Sequence, residues 1–199
     1  MSTITAGFAT PALSAQKTFR AVLNALARPG SIQSITDRVS PPPPLSPEAA
    51  AVALTLCDHD TPLWLDAGLR SADAVLAWLR FHCGSPVVDE AGSAAFALVS
   101  APSALLPFDR FNLGQPDYPD RSTTIVLQLD SLRSGPELLL QGPGIRGRQS
   151  LRASPLPQDI RTRLIANREL FPRGVDLILV ADQEVAALPR SVCVAREGP

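Results

Sequence analysis

An α/β layered fold with a mixed sheet is what this chain predicts, on three observations. Strand-like runs alternate with amphipathic helical segments. Two runs, residues 125–127 and 175–181, are apolar almost without a break, as strands buried on both faces are. The second turns back through Asp182-Gln183-Glu184 into a further apolar run, which brings an antiparallel pair into the sheet. A length of 199 residues suits one α/β domain over 1–199. A domain of that size buries its core without help from disulfides or metal.

The first helix is marked by Phe19, Val22, Leu23 and Leu26 at i, i+3, i+4 and i+7. Ser14 is its expected N-cap and Arg28-Pro29-Gly30 its stop. A polar stretch, residues 31–40, and the stiff proline run 41–44 connect it to a second helix. There Ser46 is placed to cap and Pro47 suits the first helical position. Leu63-Trp64-Leu65 reads as a short strand. Ser71 is the expected cap of a third helix, with Val75, Leu76 and Leu79 inward and Gly84 as its end. Val87-Val88 and residues 94–100 read as strands, and residues 102–106 as one helical turn. Residues 109–121 form a long irregular loop, and such loops are usually functional or interface-forming.

Residues 123–147 organise the rest. TTIVLQL and ELLLQ, separated by a polar connection with Gly135-Pro136, predict a β-hairpin whose first strand is central in a covered sheet. The loop GPGIRG, residues 142–147, follows. Residues 157–170 read as a helix with Leu156, Ile160, Leu164 and Phe171 on one face, stopped by Pro172-Arg173-Gly174. Residues 185–188 and 191–195 are expected to complete the sheet edge.

Composition narrows the function. The net charge of −1 gives no bulk attraction to nucleic acid or an anionic membrane. No apolar run approaches the ~20 residues of a membrane span, and no basic region precedes an apolar core at the start. Cys57, Cys83 and Cys193 are too sparse for a disulfide framework and fit a reducing cytoplasm. Cys57-Asp58-His59-Asp60 and His82-Cys83 lack the spacing of zinc ligands, and no metal is expected. Cys57 and Cys83 read as buried fillers, and His82 as a cation at a helix C-terminus. There is no GxSxG elbow, and only His59 and His82 are available as imidazole bases. No catalytic residue is assigned.

The glycine loop has two readings. Its amides, with Arg146 and Arg148, are chemically suited to an anion. Gly142, Gly144 and Gly147 carry a GxGxxG spacing, but Pro143 removes an amide and no convincing helix follows. There is no GxxxxGK[ST]. The other reading is a tight turn leaving the hairpin. The candidate anion set is Gly142, Gly144, Arg146 and Gly147, with Arg121 from the long loop. Arg121 and Asp117 otherwise read as a solvated pair, and Asp176 as either a buried acceptor or a surface carboxylate.

Seven segments carry a resemblance. They are FRAVLNALARPG (19–30), LTLCDHDTPLWL (54–65), LRFHCGSP (79–86), STTIVLQLDSL (122–132), LQGPGI (140–145), LFPRGVDLILV (170–180) and ALPRSV (187–192). Together they resemble the PhnH family, subunits of the bacterial carbon–phosphorus lyase system for phosphonate use. The resemblance implies a three-layer α/β/α sandwich like the large domain of pyridoxal-phosphate-dependent transferases, a homodimer, and no bound cofactor. Lys17 is the only lysine, against seventeen arginines, and precedes every predicted strand, whereas a pyridoxal enzyme needs a Schiff-base lysine. The resemblance also implies sister core subunits as partners. With them the family takes part in displacing adenine from a nucleoside triphosphate by a phosphonate, giving ribose 1-phosphonate 5-triphosphate. An accessory, non-catalytic subunit is the leading expectation. An anion- or nucleotide-binding subunit using residues 142–147 is the alternative.

Overall fold

The computed structural model describes residues 4–195. Its strands, in chain order, are β1 (Gln33–Ser34), β2 (Leu63–Leu65), β3 (Val87–Val88), β4 (Phe96–Val99), β5 (Thr124–Gln128), β6 (Glu137–Gln141), β7 (Gln149–Arg152), β8 (Asp176–Ala181), β9 (Glu184–Leu188) and β10 (Cys193–Val194). Seven of them form one mixed sheet in the order β1-β9-β8-β5-β4-β2-β3. β9 pairs antiparallel with β8 and β1, and the other pairs are parallel. β5 lies at the centre. Ile125, Val126 and Leu127 are fully buried there. Ile125 and Leu127 join Leu177 and Leu179 on one face, and Val126 joins Ile178 and Val180 on the other. That is the period-2 alternation of a strand covered on both sides.

One face carries α1 (Pro11–Ala27), α2 (Pro47–Leu56), the single turn α3 (Ala67–Arg70) and α4 (Asp73–His82). The other is covered by α5 (Ile160–Glu169) together with a three-stranded sheet, β10-β6-β7. The second outer layer is therefore part helix and part sheet.

This corrects the expected hairpin. β4 and β8 occupy both edges of β5, so β6 has no ladder to join there. It pairs instead with β7 and β10, and Leu138 and Leu140 bury against the main sheet. β10 likewise joins this small sheet and not the main edge. The main edge is β1, drawn from the polar stretch 31–40, where Ile35 supplies the burial.

The helices show a second correction. α2 begins as expected, with the Ser46 hydroxyl accepting from the Ala49 amide at 3.2 Å. α1 starts after Thr10, and Ser14 sits inside it, sharing a hydrogen bond with the Thr10 hydroxyl at 3.1 Å. Its buried face is Ser14, Thr18, Ala21, Val22 and Ala25. These small residues let α1 approach the buried alanines of α2, Ala49 to Ala51 and Ala53. Val22 is thus the one member of the predicted stripe that is fully buried. Leu26 is half-buried, and Phe19 and Leu23 face outward. Ala72, not Ser71, caps α4; Ser71 ends α3, where its hydroxyl donates to the Gly68 carbonyl. Val75 and Leu79 are buried as expected, while Leu76 is half-buried. On α5, Ile160 and Leu164 are buried, but Phe171 lies past the helix end and is exposed.

The loop 109–121 is irregular apart from two 3₁₀ turns, Phe108–Arg110 and Pro119–Arg121, yet it is firmly anchored. Phe111 is buried edge-on to Trp64, with ring centroids 5.6 Å apart. Arg190 completes the anchor. Its amide and Nε donate to the Asp176 carboxylate at 2.7 and 3.1 Å, and its guanidinium also donates to the Pro119 carbonyl. Asp176 is thus a half-buried acceptor. Both side chains of this pair are less than one-fifth exposed. Removing one partner leaves the other desolvated and uncompensated. Arg190→Met is expected to lower the unfolding free energy by about 3 kcal/mol, read from urea denaturation, and Asp176→Leu in the same chain is expected to restore part of it.

Candidate functional site

In an open α/β sheet, ligands bind outside the carboxyl ends of the strands, where the strand order reverses. Here β2 has β3 on one side and β4 on the other, so the switch point lies between β2 and β4. The chain fills that crevice itself. Asp66 directly follows β2 and is 1% exposed. One carboxylate oxygen caps α3, accepting from the Leu69 amide at 2.9 Å. The other accepts from the Ser100 amide at 2.6 Å and the Ser100 hydroxyl at 2.7 Å. Three donors satisfy the buried charge. Gly68 permits the closure, since a Cβ there would lie 2.9 Å from the Ser100 hydroxyl oxygen.

Gln128, at the end of β5, is equally occupied. It accepts from the Ser46 amide at 2.8 Å and donates to the Pro44 carbonyl at 3.0 Å. Sequence reasoning missed Asp66, Ser100 and Gln128. A signal for Asp66 was present, because an aspartate between a strand and Ala-Gly-Leu-Arg is an N-cap pattern.

The glycine loop lies between β6 and β7. Gly142, Gly144 and Gly147 all have positive φ. Gly144 rests on the end of α1, where any side chain would drive its Cβ into the Ala27 carbonyl oxygen. Helix C-terminal carbonyls carry partial negative charge, and an anion is disfavoured beside them. The Ile145 amide closes a turn onto the Gly142 carbonyl at 3.1 Å. Gly147 faces open space, and Arg146 and Arg148 are exposed. Arg121 belongs to a different loop, where its guanidinium lies over the Tyr118 ring at 4.1 Å. Among the described residues no hydrogen bond or ion pair joins it to the glycine loop or to Asp117.

Cys57, Cys83 and His82 fill space and hold chain, while His59 is exposed. Cys57 and Cys83 close the C-terminal ends of α2 and α4. Burial pushes both thiols up, Cys83 to about 11 and Cys57 further, with Cys83 and Asp58 adding to the rise at Cys57. Burial thus disfavours the thiolate form of both. His82 Nε2 and Trp78 Nε1 both donate to the Thr5 carbonyl, at 2.9 and 3.0 Å. Among the described residues no group of three or more side chains is placed to hold a metal ion. Lys17 lies on an exposed face of α1, paired with Asp37 at 3.4 Å.

The seven motif segments meet one another. ARPG of the first segment interlocks with LQGPGI: Gly144 seats on Ala27 and Pro29, and a Cβ on Gly30 would lie 2.7 Å from Leu140 Cδ1. The second and third join where the Leu63 amide donates to the Pro86 carbonyl and the Ser85 hydroxyl to the Asp58 carbonyl, both at 2.9 Å. The fourth and sixth pair as β5 and β8, and Arg190 of the seventh binds Asp176 of the sixth. These contacts position backbone and close gaps. They do not assemble a reacting group.

Comparison with known proteins adds identity to this geometry. The family model described as bacterial phosphonate metabolism protein (PhnH) matches residues 6–195. Alpha-D-ribose 1-methylphosphonate 5-triphosphate synthase subunit PhnH of Rhizobium meliloti (strain 1021) is 42% identical over 190 residues, covering 96% of this chain and 94% of that protein. HtxG of Stutzerimonas stutzeri, named as a candidate C-P lyase subunit, is 37% identical over 86 residues, 43% of this chain and 44% of its own length.

A structural glycine and a solvated arginine respond differently to truncation. Gly144→Ala is expected to cost about 2–3 kcal/mol of stability, from positive-φ strain and the clash with Ala27. Arg146→Ala is expected to stay within about 0.5 kcal/mol of the parent. Urea denaturation of the two variants checks both.

Proposed function

This chain belongs to the PhnH family, and from that premise we propose that it is an accessory, non-catalytic subunit of a carbon–phosphorus lyase core complex. In this reading it is a cytoplasmic protein, one domain over 1–199, present as two copies. It holds sister subunits that together make ribose 1-phosphonate 5-triphosphate from a nucleoside triphosphate and a phosphonate. The whole-length match to a subunit of the corresponding synthase supports the assignment to that system. The observation that carries the accessory role is the closed switch point, where Asp66 and Ser100 occupy the crevice a substrate would need. The likeness to the large domain of pyridoxal-phosphate-dependent transferases is part of the same proposal. Its support is a seven-stranded mixed sheet with one antiparallel strand.

Co-expression of the tagged chain with the other phosphonate-operon subunits tests this reading. A multi-subunit assembly of fixed stoichiometry is expected on elution, and the isolated chain is expected to release no adenine from ATP and methylphosphonate. Adenine release by the isolated chain overturns it.

A second reading, an anion-binding subunit, draws on one observation. Arg146 and Arg148 are exposed beside the open side of Gly147 and have no hydrogen-bond or ion-pair partner among the described residues. Calorimetric titration of methylphosphonate and ATP into the parent chain and Arg146→Ala decides it. Weaker binding by the variant supports this reading, and equal affinity, or none in either, removes it.

A further inference from the structure

The small sheet ends on an open strand. β6 lies between β10 and β7, and among the described residues no strand pairs with the other side of β7. β7 is four residues long, whereas the remaining end strands, β1, β3 and β10, have two each. The ladder shows which of its groups are unpaired. The Leu139 carbonyl accepts from the Ala195 amide at 2.8 Å, on the β10 side. Backbone polar groups of an antiparallel strand alternate between its two sides, so Leu138 and Leu140 bond to β7, through Leu151 and Gln149. The amides and carbonyls of Ser150 and Arg152 therefore point to the open side. The Ser150 carbonyl accepts instead from the Gln149 side-chain amide at 3.0 Å, a side chain standing where a further strand would lie.

The same edge already takes up chain at one end. Just past β7, the Ser154 amide donates to the Ser131 carbonyl at 2.9 Å and the Ser131 amide donates back at 3.0 Å, an antiparallel bridge. Among the described residues no bridge continues it along Arg152 and Ser150. An unpaired strand edge is a template for an extended segment of another chain.

Charge selects the occupant. Residues 142–154 contain Arg146, Arg148 and Arg152 and no acid, and all three arginines are exposed. Two carboxylates border them. Glu137 faces Arg152 across the ladder, one strand in from the edge, and accepts from the Ser150 hydroxyl. Asp130 is exposed at the far end, next to the Ser131 bridge. Arg161, which donates to the Glu137 carbonyl, adds a further cation beside Glu137. The edge itself is basic. A second copy of the chain is disfavoured here, because edge-to-edge pairing would set Arg148 and Arg152 against their like. We infer that this edge takes an extended acidic segment of a sister subunit as a fourth strand. Its backbone bonds to Ser150 and Arg152, and its carboxylates meet Arg148 and Arg152. The inference rests on the accessory-subunit reading above and adds its surface.

Amide hydrogen exchange on the full chain, alone and in the co-expressed assembly, tests it. Alone, the Ser150 and Arg152 amides are expected to exchange as exposed loop amides do. In the assembly they are expected to slow by roughly tenfold or more, as amides newly bonded in a sheet do. Arg148→Glu combined with Arg152→Glu is expected to cut the sister subunits retained by the tagged chain by about tenfold or more, since like charges then face each other. Ser150→Pro removes an outward amide and spares the β6 ladder, and the same loss is expected. Circular dichroism of each isolated variant is expected to match the parent, because these side chains are exposed. Assembly with equal retention by both variants, or with no slowing of the two amides, overturns the strand addition and leaves the accessory reading standing. A parent chain that retains no sister subunit overturns both. Arg146 is untouched in every variant, so the anion titration is a separate measurement.

Discussion

β5 has no free side. β4 and β8 take its two edges, and its alternating side chains are buried in two separate clusters on the two faces. Everything around it follows from that saturation. A strand so enclosed cannot turn back on itself, so the chain leaves the sheet and crosses to its open face. There β6, β7 and β10 form a second small sheet whose leucines close the cluster over Ile125 and Leu127. The other face is closed by α1, α2 and α4 over Val126.

The same economy of space reaches the places where an α/β protein usually holds a ligand. At the switch point, a carboxylate, a serine and a glycine satisfy one another. At the glycine loop, the missing side chains admit the end of a helix. In both, the residue types resemble those of a binding site, and in both the neighbour received is part of the chain. The accessory role proposed above rests on this filling of the cleft.

The outside is shaped by a compromise in α1. A helix presents either large or small residues to its neighbour. Against the alanine-rich α2, the small residues Ser14, Thr18, Ala21 and Ala25 allow a close approach that Phe19 and Leu23 would prevent. The large side chains Phe19 and Leu23 are left exposed. The 19/22/23/26 stripe thus identified a helix correctly while misplacing its buried side, because the stripe marks apolar character and not what lies opposite it.

Local order was legible from residues alone. The strand runs 63–65, 96–99, 124–128 and 176–181, the capped second helix, the glycine stop at Gly84 and the turn at Asp182-Gln183 each depend on side chains within a few positions. The covered centre of the sheet was legible too, since an unbroken apolar strand is stable only when both faces are buried. Partner choice was not. Whether 137–141 pairs with β5, whether residues 33–34 reach a sheet edge, and whether Asp66 also takes Ser100 as a partner in the crevice depend on which edges and surfaces remain free once the rest has packed. That competition involves residues far apart in sequence, so the tertiary structure alone decided it.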